Sequence, residues 1–226
     1  MRRACAGAHR RAGGGDIVRA LRPASAAMPI PANVETLLKQ SETGLAALAF
    51  FNANSIEIET TSAGAIAYFD PSGAKKKIVL NTSKPAAVIA AYFCHEINHA
   101  RMFVAGTTAD PKKEAKDDYV KKMVAEEAAG TTLGFRSFLE LERKGLTTGV
   151  NPPDRYDMYK RAFENGRKAK KEKDPNATEA EMDAMGFSYG ARMVKYCIDE
   201  RFLGPNMIES YSEYYARDWA QQNRKK

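Results

Sequence analysis

Histidine and cysteine are both scarce in this chain of 226 residues, and long apolar runs are missing. The three cysteines, Cys5, Cys94 and Cys197, are odd in number and far apart. That pattern argues against a disulfide framework and offers no cysteine-based zinc site. No stretch of about 18 consecutive apolar residues occurs, so neither a transmembrane helix nor a membrane partner is expected.

An excess of acidic residues is also lacking, and the net charge of +7 suggests nucleic acid until it is located. Residues 1–28 carry six arginines (Arg2, Arg3, Arg10, Arg11, Arg19, Arg22) against one acid, Asp16. The remaining 198 residues hold 29 basic and 27 acidic side chains and are close to neutral. Nucleic-acid binding would have to rest on the N-terminal arm or on the Lys160–Lys173 cluster, and a solvated tail and a solvated helix face are the simpler expectations. The arginines interrupt any apolar segment near the N-terminus, which makes it a poor secretory signal. Residues 1–32 are expected to form a disordered basic arm.

What the sequence does contain is an unusual use of its few histidines. Two of three fall in His95-Glu96-Ile97-Asn98-His99, inside the apolar run Ala90–Phe103. Histidines four apart lie one turn apart on one helix face, so both rings can reach a single tetrahedral metal ion, for which zinc is the usual occupant. Glu96 sits about 100° round the helix from His95, placed to act on a water rather than to bind the metal. Two buried, hydrogen-bonded histidines in an ordinary amphipathic helix would be the plainer reading. Burying that much polarity among Phe, Ile and Met is costly without a charge to satisfy it.

Around this motif the periodicity reads as an α+β fold, mainly helical, with a small antiparallel three-strand sheet preceding the motif helix. Val34, Leu37, Leu38, Leu45, Leu48 and Phe51 recur at helical spacing, with Ser41 and Gly44 as weak points. Ile56–Thr60 alternates as a strand does, Ala65–Phe69 follows, and Asp70-Pro71-Ser72-Gly73 turns the chain into Lys77–Asn81. Thr82 or Ser83 can cap a helix over about 84–104, with Pro85 in its first turn. A second long helix is expected over about 113–143, with Gly130 and Gly134 as points where it can bend. After the break at Gly149–Asp154 come helices over 155–173, from about 174 to 203, and over 206–221. The expected organisation is the arm, a core over 33–148 and a helical extension over 149–226 packed on it.

The second long helix supplies a candidate third ligand. Its apolar stripe holds Val120, Met123, Val124, Thr131, Phe135 and Phe138, and Glu127 falls inside it while Glu126 lies off it. A carboxylate on a core-facing stripe needs a partner, and a metal held by His95 and His99 supplies one. Small residues at 128–130 let this helix approach the motif helix closely. Glu126 in that role, or an exposed Glu126-Glu127 pair on a slightly rotated helix, are the alternatives.

The order helix, short strands, His95-Glu96-Ile97-Asn98-His99-Ala100 helix and Val124-Ala125-Glu126-Glu127-Ala128-Ala129 helix resembles the minimal zincin metallopeptidase scaffold over residues 33–143. It is most similar to the gluzincin branch, whose third ligand is a glutamate on a following helix, and to compact metallopeptidase domains of bacterial proteins. The resemblance implies a peptide-hydrolysing enzyme with one zinc ion on His95, His99 and Glu127, and Glu96 as general base. It also implies that the strand before the motif helix, Lys77–Asn81, lines the substrate cleft. The expected partner is a protein or peptide, and the location cytoplasmic, or exported as an effector without a standard signal peptide. Tyr189, Arg192 and Tyr196, at helical spacing, are candidates for stabilising an oxyanion, and Thr131 for steadying a ligand. A zinc-stabilised binding or regulatory domain of this fold, without turnover, is the alternative function.

Overall fold

The computed structural model describes residues 29–205 and 209–224. Most of the basic arm, residues 1–28, lies outside the described residues. The element order is α1 (Ala32–Leu38), α2 (Glu42–Ala53), β1 (Glu57–Thr61), β2 (Ala67–Asp70), β3 (Lys77–Asn81), α3 (Ala86–Val104), α4 (Lys116–Arg143), α5 (Tyr156–Lys173), α6 (Glu179–Asp199) and α7 (Tyr211–Gln222). This is an α+β fold, mainly helical with one three-strand sheet.

Several helix ends are set by side chains whose positions the hydrophobic period alone does not reveal. Ser41 accepts the Gly44 N–H and divides the first helical pattern into α1 and α2. Thr178 with Glu181, and Ser210 with Glu213, form capping boxes, so α6 and α7 both begin later than their apolar patterns do. At the start of α3 the cap position falls to Pro85, with no side-chain cap. Ser83 is instead held by the Asn81 carboxamide oxygen, which accepts both its N–H and its hydroxyl.

The sheet is mixed, not the antiparallel meander that strand order suggests. β3 lies in the middle, parallel to β1 and antiparallel to β2, with Ile78 opposite both Ile58 and Phe69. Composition explains the difference. Ile78, Val79 and Leu80 are all buried, so β3 takes the central place where both of its edges are covered. The chain therefore crosses from one edge to the other over residues 62–66, and β2 is left as an edge strand.

α3 is the axis of the molecule. Nearly every residue from Ala87 to Ala100 is buried, against α1 and α2, the sheet, and α4. Phe93 and Ile97 are fully enclosed, each side chain contributing about 1.5–3 kcal/mol of apolar burial. The same core takes in Tyr156, Tyr159 and Phe163 of α5 and Val194 and Ile198 of α6. The basic residues of α5 are mostly paired: Lys160 with Glu142, Arg167 with Glu179, and Lys170 with Asp174. A smaller separate cluster, Ala109, Tyr119, Met123 and Tyr215, seats α7 on the N-terminal half of α4. Among the described residues no helix is long and apolar enough to cross a membrane.

Candidate metal centre

The motif helix and α4 touch through an absence of side chains. A Cβ on Gly130 would stand 3.2 Å from three ring atoms of His95, and one on Gly134 would stand 3.0 Å from the Ala91 carbonyl oxygen. These glycines are contact points and not bends, since α4 runs unbroken from Lys116 to Arg143. Their effect is to bring Glu126 and Glu127 to the face of α3 that carries both histidines.

The result is a dense polar cluster in an apolar setting. His95 Nε2 and His99 Nε2 face each other at 3.0 Å. Glu127 Oε2 lies 3.4 Å from His95 Nε2, and its Oε1 lies 3.7 Å from His99 Nε2. One ligand atom from each of the three residues falls within 4.8 Å of the others. Glu126 has a different task. Its Oε1 is 2.7 Å from His99 Nδ1, and its backbone carbonyl accepts from the Asn98 side-chain amide at 3.1 Å. A proton held on Nδ1 by Glu126 leaves the Nε2 lone pair of His99 aimed into the cluster. Glu126 is buried, so the projection that set it off the helix stripe misjudged its surroundings. The exposed-pair alternative is excluded for both glutamates.

Glu96 points from α3 toward the edge strand, where its Oε2 accepts the Phe69 N–H at 2.9 Å. The sequence offers no signal for this bond, because it depends on β2 being the edge. The cavity of about 680 Å³ over the cluster is walled by residues 65–69, together with Tyr92, Phe135 and Tyr211. None of Lys77–Asn81 reaches it, so the cleft-lining strand is β2 and not β3. Thr131 lines this cavity without bonding either histidine. Tyr189, Arg192 and Tyr196 lie elsewhere, along a groove between α5 and α6, and take no part in the site.

The aromatic hydroxyl that does reach the cluster comes from α7. Tyr215, buried, donates its hydroxyl to Glu127 Oε1. It is 88 residues from Glu127 in sequence, and no spacing or motif announces it.

Without a metal the cluster balances itself by proton sharing. Burial pushes the His99 imidazolium down, but the Glu127 charge and the Glu126 hydrogen bond outweigh it and raise His99 from 6.5 to about 9. Burial likewise opposes charge on Glu127, and the two histidines with Tyr215 overcome it, holding the carboxyl at about 2. Cys94, adjacent in sequence, is pushed up to about 12 by burial and is an inert thiol.

The residues fit a metal ion. A tetrahedral zinc with bonds of about 2.05 Å to nitrogen and oxygen sets its ligand atoms about 3.3 Å apart. His95 Nε2 stands 3.0 Å from His99 Nε2 and 3.4 Å from Glu127 Oε2, on either side of that value, and the 3.7 Å approach to His99 Nε2 is made by the other carboxylate oxygen, Oε1. Two imidazoles with Nε2 facing inward, one carboxylate and an adjoining cavity are the donor set of an open site, one that keeps a position for a further ligand.

Fold and site together define a helical α+β protein with a buried two-histidine, one-carboxylate centre beside an edge strand. The chain belongs to the family described as "Putative metallopeptidase family (DUF6782)", whose model matches residues 18–199. Comparison with curated proteins and with solved structures gives no match.

Proposed function

We propose that this protein is a zinc-dependent peptidase that hydrolyses peptide bonds with Glu96 as general base. The observation that carries the reading is the convergence of His95 Nε2, His99 Nε2 and the Glu127 carboxylate in a buried cluster that opens on a cavity walled by an edge strand. The donor set suits zinc, and in such a site the bound ion lowers the pKa of water toward neutrality and polarises the scissile carbonyl.

The chain's own residues supply the rest. His95 and His99 donate Nε2, with Glu126 holding the far nitrogen of His99 in the required tautomer. Glu127 contributes the anionic ligand. The Phe69 N–H fixes one oxygen of Glu96 and so sets the plane of the carboxylate. Glu96 takes a proton from the attacking water and delivers it to the leaving amine, which keeps both charges transient. The outer edge of β2, with residues 65 and 66 leading into it, suits an extended peptide added as a further strand, so a protein or peptide is the substrate class.

The test is elemental analysis of purified protein beside a peptide-library digest. The wild type should carry about one zinc per chain and cleave. Glu127→Ala should lose the metal, and Glu96→Gln should keep it while cleavage falls by about 10²–10⁴-fold. Zinc retained with no cleavage by wild type under any condition would leave a metal-stabilised binding domain instead. Absence of metal uptake would end the metal reading.

A further inference from the structure

Tyr215 holds a position that the chemistry above does not use. Its ring is fixed on two sides, edge-on to Tyr119 at 6.1 Å and to Tyr214 at 5.0 Å between centroids. The hydroxyl therefore has little freedom, and it donates to Glu127 Oε1. A carboxylate with one oxygen engaged in this way cannot rotate without losing a buried hydrogen bond, and Glu127 Oε2 stays turned toward His95 Nε2. Removal of the hydroxyl leaves a buried carboxylate oxygen short of a partner.

The helix that carries Tyr215 is attached unlike the others. α7 places none of its buried side chains in the main core, which it meets only through the half-buried Tyr211 among the described residues. It rests on the small cluster of Ala109, Tyr119 and Met123, and polar contacts, among them an ion pair of Glu213 with Arg201, help tie it down. Tyr119 donates its hydroxyl to Asp218 at 2.6 Å, the Trp219 indole N–H donates to the Glu114 carbonyl at 3.0 Å, and the Asn223 amide donates to the Pro111 carbonyl at 2.7 Å. These three partners lie in the approach to α4 or its first turn, two or more helical turns before Glu127. Tyr215 is thus the residue in which the seating of α7 and the geometry of Glu127 meet.

We propose that Tyr215 is a positioning residue for the metal centre, and that α7 is a docking arm whose seating and metal binding form one coupled equilibrium. The inference rests on the metal reading above. Coupling of this kind is reciprocal: a metal that favours the oriented Glu127 favours the docked arm, and a loosened arm weakens the metal by the same factor. The chain carries its own reporter, because its single tryptophan is Trp219, on the arm.

The experiment titrates the full-length, chelator-stripped protein with zinc and follows Trp219 emission, with affinity measured against a chromophoric chelator. The wild type is expected to bind zinc with a change in emission. Tyr215→Phe keeps the ring and its packing, so a merely structural role would leave affinity unmoved. The expected result is about 10–100-fold weaker binding and loss of the emission change. Asp218→Asn loosens the arm without touching Glu127 and should weaken zinc by a smaller factor. Wild-type affinity in Tyr215→Phe overturns the positioning role. Wild-type affinity in Asp218→Asn, or a wild type that binds zinc with Trp219 silent, overturns the coupling. Failure of the wild type to bind zinc at all removes the metal reading itself, an outcome distinct from the others.

Discussion

The two sides of the candidate metal centre are built by opposite means. On the inner side, α3 and α4 meet through two glycines inside the main core, and those helices carry His95, His99 and Glu127, the three residues that could hold a metal ion. On the outer side, α7 reaches the same carboxylate through one hydroxyl and is held by a small aromatic cluster and polar ties. The inner side gains rigidity because core packing admits few arrangements. The outer side rests on a few bonds of about 0.5–1.5 kcal/mol each. A site with one fixed wall and one weakly held wall can keep the geometry of its buried cluster while the other wall moves.

The contrast is tested most severely at Gly130. A side chain there meets the His95 ring, which has the Gly130 face on one side and Tyr92 stacked at 6.3 Å on another. Gly130→Ala forces the ring to give by a few tenths of an ångström, and Gly130→Val displaces it. Overpacking of this sort costs about 1–3 kcal/mol, and the displaced imidazole should lower zinc affinity by about tenfold or more in the valine variant. Thermal melts and chelator competition check both. An inner wall that accepts valine with affinity and melting temperature unchanged would not be the rigid side.

How far the sequence reveals this arrangement depends on the range of the interaction. The spacing of His95 and His99 encodes their convergence locally, and the place of Glu127 on a helical stripe puts it on the facing surface. Both follow from helix geometry alone. The small residues at 128–130 point to close approach for the same reason. Glu126 is less legible, because a projection at fixed angle separates neighbouring residues by about 100° and places one of them outside the stripe. In the structure the two glutamates straddle the contact, one on each side of His99. The mixed sheet, the choice of β2 as cleft wall and the Phe69 N–H on Glu96 depend on which strand takes the centre, a competition over burial that no single strand's pattern decides. The contact of Tyr215 with Glu127 has no local signature, since nothing in the pattern of a short helix records what it docks against.

A second, more moderate effect separates the metal-free from the loaded inner wall. His99 is raised from 6.5 to about 9, so its contribution to folding is full below pH 6.5 and is lost as pH rises toward 9. Glu127 is lowered from 4.5 to about 2, so its contribution is full above pH 4.5 and is lost as pH falls toward 2. The metal-free protein should therefore draw most from this pair between about pH 4.5 and 6.5, and its melting temperature should decline from pH 6.5 to 9. With zinc the sign reverses over that upper range, because the metal competes with the proton on His99 and affinity grows as pH rises. Melting curves with and without zinc, crossing in slope between pH 6.5 and 9, are the expected observation. Parallel curves would mean that the metal does not engage His99.

The smallest effect concerns the outer wall in the absence of any ligand. Free energies of local opening range from near zero up to the global value, and they follow the amount of buried apolar contact that holds each segment. α3 lies wholly in the main core, whereas α7 buries Tyr215 and leaves most of its other residues partly or fully exposed. Amides of α7 should exchange with solvent through local opening at a free energy below that of α3. Asp218→Asn weakens one tie, the bond from Tyr119, which is charge-assisted in the native protein. It should lower the α7 opening free energy by about 0.5–1.5 kcal/mol and leave α3 protection as it was. Hydrogen exchange resolved by peptide or by residue measures both helices in one sample. If α7 instead exchanges only with α3, in one global step, then the arm is part of the core and the division between the two walls disappears. Loss of protection in α7 alone gives the division its energetic scale, and that scale limits how much zinc affinity the arm can contribute.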